Sequence, residues 1–138
     1  RGIPVMGHLG LTPQSIHKFG GYQLQAKDKE SAERLMAAAK ALETAGCFAI
    51  VLEKIPHQVA QKVSQELAIP TIGIGAGPYC DGQILVVDDM DGRFEDFVPK
   101  FVRQYAHIAK DMRQAFKGYI TDVKGKSFPN MDESFSEE

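Results

Sequence analysis

An α/β fold built on a parallel sheet is the class this sequence predicts, and three observations carry the prediction. Short, continuous apolar runs rich in β-branched residues fall at Ile3–Met6, Phe48–Leu52, Thr71–Ile74 and Ile84–Val87; strands buried on both faces read this way, without polar alternation. Helical periodicity separates or follows most of these runs. A carboxylate, Glu53, stands where the most apolar run gives way to Lys54-Ile55-Pro56 and a new helical pattern, and the carboxyl ends of parallel strands are where α/β folds place their chemistry.

The first strand, Ile3-Pro4-Val5-Met6, runs into Gly7-His8-Leu9-Gly10, so His8 projects from a strand end between glycines, on the same rim as Glu53. A helix is expected from about Lys29 to Ala45, with Leu35, Ala38, Ala39 and Leu42 on one face, Asp28 as N-cap and Gly46 as the stop. The second strand ends at Glu53. From Pro56 to Ala68 a second helix follows, with Val59, Val63 and Leu67 on its face and Pro56 in its first turn; Ile69-Pro70 ends it before the third strand. The link from Ile74 to Ile84 has no helical period, and Gly75-Ala76-Gly77-Pro78 forms a loop of the kind that closes over a ligand. After Val87, an acidic turn leads into a long amphipathic segment in which Phe97, Phe101, Tyr105, Ile108, Met112, Phe116 and Tyr119 recur at helical spacing. That stripe reads as core or subunit interface. The sequence thus divides into residues 1–124, four strands with their helices, and a polar tail, residues 125–138. Four such strands are half of an eight-stranded barrel and leave two unpaired edges, so a complement is expected. The abrupt start at Arg1-Gly2 agrees with the carboxyl half of something longer.

Composition narrows the function. With 138 residues, 43% of them apolar, the chain can bury one core, and a net charge of −2 gives no footprint for nucleic acid or an anionic membrane surface. Cys47 and Cys80 are the only cysteines and form no CxxC pair, which favours a reducing compartment and buried thiols. No run approaches the roughly 20 apolar residues of a bilayer span. A small molecule is the expected partner, and a cytoplasmic location the expected one.

Several motifs fail on inspection. Gly73-Ile74-Gly75-Ala76-Gly77 would need its third dinucleotide-fingerprint glycine at Pro78. Asp88, Asp89 and Asp91 miss calcium-loop spacing, with Val87 and Val98 at the required ligand positions; a solvated acidic turn remains, though Asp88 could reach inward. The histidines at 8, 17, 57 and 107 have no zinc spacing. For Glu53 the alternatives are a catalytic base and a solvated loop acid paired with Lys54. For His8 they are ligand contact and a structural hydrogen bond, and for the glycine cluster close backbone approach to a ligand and a plain tight turn.

The segments Gly2 to Ser15, Gly20-Gly21-Tyr22, Val51-Leu52-Glu53 with Pro56, Ile69 to Gly77, Asp81 to Val86, and Phe101-Val102 to Phe128-Pro129 together strongly resemble the ketopantoate hydroxymethyltransferase family, in that family's order and over nearly the whole chain. The resemblance implies a (βα)8 TIM barrel of the phosphoenolpyruvate/pyruvate type, of which this chain supplies about the last four strands and helices. It implies transfer of a hydroxymethyl group from 5,10-methylenetetrahydrofolate to 3-methyl-2-oxobutanoate, giving 2-dehydropantoate in pantothenate synthesis. Glu53 takes the place of the proton acceptor, His8 that of a histidine near the oxo acid, and Gly75 to Gly77 line the pocket. The family's Mg²⁺ ligands lie on earlier strands, so none is expected in this chain, and activity is expected to need the missing amino-terminal half. A large ring-like homo-oligomer, a decamer, is implied as well. Two rivals share parts of this pattern: another enolate-forming carbon–carbon lyase barrel, and a non-catalytic fragment acting only as an assembly partner.

Overall fold

The computed structural model describes residues 2–15, 17 and 21–137; Arg1, Gly20 and Glu138 of the segments quoted above lie outside them. The chain divides into two compact units, residues 1–85 and 86–138.

The first unit is an α/β layer. Strands β1 (Met6–Gly10), β2 (Ala49–Glu53), β3 (Thr71–Ile74) and β4 (Gly82–Gln83) form one parallel sheet in sequential order. Helix α1 (Lys29–Thr44) joins β1 to β2, and α2 (His57–Glu66) joins β2 to β3. Asp28 caps α1: its carboxylate accepts the Ser31 N–H at 2.8 Å, while the Ser31 hydroxyl accepts the Asp28 N–H at 3.3 Å, so two otherwise orphaned donors are satisfied. Gly46 follows the helix with φ +92°. Pro56 occupies the N-cap of α2, one position before the first turn where the sequence suggested it.

Pleat parity sorts the strand residues onto two faces. Thr71 Oγ1 meets Ser64 Oγ of α2 at 2.6 Å, and Thr71 pairs in register with Ile50 and Gly73 with Leu52; these residues therefore face the helices. Ile50 and Leu52 are fully buried there, in a core with Leu35 and Ala39 of α1 and Ala60 and Val63 of α2. The other face carries Met6 and His8 of β1, Val51 and Glu53 of β2, and Ile72 and Ile74 of β3. Met6 is 45% exposed on it.

Two expected strands shift. The first begins at Met6 rather than ending there, because the ladder with β2 runs from Met6↔Ala49 to Gly10↔Glu53. The expected strand Ile84–Val87 is replaced by the two-residue β4 and, from Val87 to Met90, by a short helix, α3. The cause lies in its neighbour: β3 ends at Ile74 and the chain turns at Gly75, φ +64°, so no partner is left beyond Ile84, whose N–H still reaches the Gly73 carbonyl at 3.0 Å.

The second unit holds α3, helix α4 (Ile108–Lys124) and a 3-10 turn at Met131–Glu133. Asp88 does not reach inward from a strand; it lies in the first turn of α3, 3.5 Å from Arg93. The amphipathic stripe is helical only from Ile108. Phe97 and Phe101 precede it in a loop that contains Pro99, which lacks the N–H a helix interior needs. On α4, Met112, Phe116 and Tyr119 are exposed. A bidentate ion pair from Arg113 to Glu95 ties the loop to α4 and holds the Glu95 carboxyl below its usual range. Among the described residues no helix is long and apolar enough to cross a membrane.

Candidate active site

Glu53 is the last residue of β2, between Gly10 of β1 and Ile74 of β3. His8 pairs with Val51, two residues earlier on the same face, which makes His8 and Glu53 diagonal neighbours across adjacent strands. Their side chains meet: His8 Nε2 lies 3.0 Å from Glu53 Oε2. The imidazole N–H donates and the carboxylate accepts. The pair is sheltered but reachable, with His8 34% and Glu53 18% exposed. Lys54 is not the carboxylate's partner; its Nζ donates instead to the carbonyl of Tyr22.

Backbone contacts hold this strand end from both sides. The Glu53 carbonyl accepts the Leu11 N–H at 2.9 Å, and the Lys54 N–H donates to the Ile74 carbonyl at 2.9 Å. Gly10 makes the first of these contacts possible. Its φ is +89°, and a Cβ there would overlap the Glu53 carbonyl oxygen and crowd Ile55 Cγ2 at 2.8 Å, so only glycine lets β1 pass this close. Lys54 itself adopts a left-handed φ of +49°, a sparsely populated conformation for a residue with a side chain and one that gathers at functional sites. Its carbonyl accepts the Gln25 N–H at 3.0 Å, which fastens the β1–α1 loop to the same rim.

Gly75 and Gly77 follow β3 on the next loop, both with positive φ, +64° and +81°. The hydrogen bond between Lys54 and Ile74 joins the start of this loop to the residue after Glu53. Gly77 packs on the first residue of α2: a Cβ there would run into Cβ of His57. The backbone thus brings three of the sequence-selected sites, His8, Glu53 and the glycine loop, to the carboxyl end of one parallel sheet.

Among the described residues no three His, Cys, Asp or Glu side chains converge as metal ligands. One carboxylate and one imidazole do not by themselves fit a magnesium site, which takes near-octahedral oxygen ligands. A separate cleft of about 520 Å³ opens between α1 and α2, lined by Ala32, Met36, Pro56, Val59, Lys62 and neighbouring polar residues. It lies in the helical layer and contains neither His8 nor Glu53, so volume and chemistry point to different places.

Sequence reasoning missed three contributors: Gly10, Lys54 as a left-handed hinge, and Gln83, whose amide reaches the Gly77 carbonyl at 2.9 Å. The spacing of Gly10 after His8 is the one signal that could have exposed the first. Backbone conformation at Lys54 and a contact between positions 77 and 83 leave no mark in a periodicity pattern.

Fold and site together define an α/β protein with a hydrogen-bonded carboxylate–imidazole pair at the carboxyl edge of a parallel sheet. Comparison with known proteins makes the class specific. Residues 1–131 match the family described as ketopantoate hydroxymethyltransferase, and this chain belongs to that family. It is 58% identical over 134 residues to the 3-methyl-2-oxobutanoate hydroxymethyltransferase of Chlorobaculum tepidum, covering 97% of this chain and 48% of that protein. It is 56% identical over 133 residues to the enzyme of that name from Enterococcus faecalis, covering 96% of this chain and 48% of the relative. For the Clostridium botulinum protein of the same name the identity is 58% over 133 residues, with 96% and 48% covered. The chain spans about half the length of the curated relatives it matches.

Proposed function

We propose that this chain supplies the last four strands of a (βα)8 barrel of the phosphoenolpyruvate/pyruvate type, which transfers a hydroxymethyl group from 5,10-methylenetetrahydrofolate to 3-methyl-2-oxobutanoate, giving 2-dehydropantoate. The observation that carries the reading is the 3.0 Å contact between His8 and Glu53 in a chain of this family. Glu53 is the base. With Oε2 engaged by the imidazole, Oε1 takes the proton from the carbon beside the ketone, leaving an enolate whose carbon forms the new bond to the one-carbon unit; that unit's two C–N bonds to the folate break, water supplies the hydroxyl oxygen, and tetrahydrofolate leaves with the released protons on its nitrogens. His8 fixes the carboxylate and lies beside the oxo acid, and Gly75 and Gly77 line the pocket with backbone.

A carboxylate is in general a weak base toward a ketone, so the developing oxygen charge needs a cation. The Mg²⁺ of the proposed enzyme would be held by residues outside this chain, and the steps assigned to this chain are proton transfer and binding. The partly open sheet face supports the need for a complement: Met6, His8 and Val51 lie on it only partly covered, and the other half of a barrel would close over them. The same reading makes the protein a cytoplasmic, ring-like homo-oligomer, with the exposed aromatic stripe of α4 as a contributor to subunit contacts.

The test uses the enzyme assembled from this chain and the half it does not span. Glu53→Gln is expected to slow exchange of the substrate's C3 hydrogen into solvent by about 100-fold or more. Unchanged exchange would remove Glu53 from the mechanism. Product formation is expected to depend on methylenetetrahydrofolate; independence from it would favour a carbon–carbon lyase. This chain alone is expected to give no robust turnover.

A further inference from the structure

In the βαβ units of this sheet a helix spans each crossover, but the β3–β4 connection has none, and two side chains fasten it instead. The first is Asp81. Its carboxylate accepts the Thr71 N–H at 2.8 Å and the Thr71 hydroxyl at 2.9 Å, which pins the end of the connection to the start of β3. The second is Gln83. It pairs in register with Gly73, and its side chain lies across that residue: a Cβ on Gly73 would come within 2.9 Å of Gln83 Oε1 and 3.1 Å of Cys80 Sγ. From there the Gln83 amide donates to the Gly77 carbonyl at 2.9 Å. Gly77 is thus gripped from two directions, by the Gln83 amide and by Cβ of His57 behind it. Its loop begins at Ile74, whose carbonyl is held by the residue following Glu53.

We propose that Gln83 is a positioning residue: through its hydrogen bond to Gly77 it holds the glycine loop at the distance from Glu53 at which the loop's backbone can contact the oxo acid. The inference rests on the reading that Gly75 and Gly77 line the substrate pocket. Gln83 touches no reacting atom, so it governs how well substrate is held rather than how fast the proton moves. A single neutral hydrogen bond is worth roughly threefold to tenfold in an equilibrium, and that is the size of effect expected.

Two variants, Gln83→Ala and the near-isosteric Gln83→Glu, which sets a carboxylate against the Gly77 carbonyl, are made in the assembled enzyme. The expected result is a rise in KM for 3-methyl-2-oxobutanoate of about fivefold to tenfold, with kcat within about threefold of the parent. Amide hydrogen exchange, read by mass spectrometry, should accelerate by a similar factor in the peptide spanning residues 75–77 and stay unchanged in β2 and β3. Unaltered KM and unaltered exchange in both variants would overturn the proposal. Loss of protection spread equally across the sheet, with kcat and KM worsening in parallel, would overturn it in favour of a general stabilising role. Should the assembled parent fail to exchange the substrate's C3 hydrogen, the functional reading fails, and the amide-exchange comparison still decides whether Gln83 holds the loop.

Discussion

On the helical face of the sheet Ile50 and Leu52 are completely buried, whereas Val51 and Glu53, alternating with them along the same strand, remain partly open on the other face. The closed face is packed against two helices through a largely apolar core, with Thr71 its one buried polar side chain among the described residues. The open face carries the hydrogen bond from His8 to Glu53. A single strand can thus serve stability through one set of side chains and chemistry through the alternate set, because the pleat separates them completely. Nothing about Glu53 needs to compromise the core beneath it.

The largest expected effect tests the closed face. Leu52→Ala should destabilise the chain by about 3 kcal/mol through lost burial and a residual cavity, while Val51→Ala should cost about 1 kcal/mol or less. Denaturant unfolding compares them, and equal losses would erase the distinction between the faces. Next in size, Gly10→Ala should cost about 2 kcal/mol, since it forces a left-handed backbone onto alanine and pushes β1 off the Glu53 carbonyl. In the assembled enzyme it should also depress turnover more than Leu52→Ala does, because it displaces the strand end that carries Glu53. Turnover that merely tracks lost stability in both variants would refute that.

The smallest effect concerns Asp81, on the helical side. The N–H and hydroxyl of Thr71 hold its carboxyl below the ordinary aspartate range, so its contribution is present at neutral pH and fades as pH falls through the depressed folded value. The Asp81→Asn variant carries a side-chain amide there, which does not titrate in this range. The stability gap between the parent and Asp81→Asn should therefore be widest near neutrality, within about 1 kcal/mol after solvent screening, and should narrow below about pH 4. A gap that widens on acidification would reverse the sign of the coupling.

Much of the first unit was legible in advance. Thr71–Ile74 is the observed third strand, Asp28 is the observed cap of α1, and His8 and Glu53 were placed on one rim that the structure also gives them. These features are local or periodic, so a linear sequence records them. The fourth strand and the early part of the aromatic stripe depart from their local pattern for two different reasons. Ile84–Val87 has a strand's composition but loses its partner where β3 turns at Gly75. The stripe has a helix's spacing but is interrupted by Pro99, and the helix begins only at Ile108.

The contrast between α1 and α4 makes the same point. Both are amphipathic, yet Leu35 and Ala39 of α1 are buried and α4 buries no residue. Amphipathicity states that a face needs cover without stating what covers it.

By itself, then, the sequence determined the α/β class, the strand-end position of Glu53 and the resemblance that led to a family, since each resides in residue type, period or order along the chain. Tertiary structure alone decided that His8 rather than Lys54 meets the carboxylate, that Gly10 admits β1 against Glu53, and that Gln83 holds Gly77. Each of those depends on strand register and on a left-handed backbone turn, and register is a relation between segments that neither segment encodes alone.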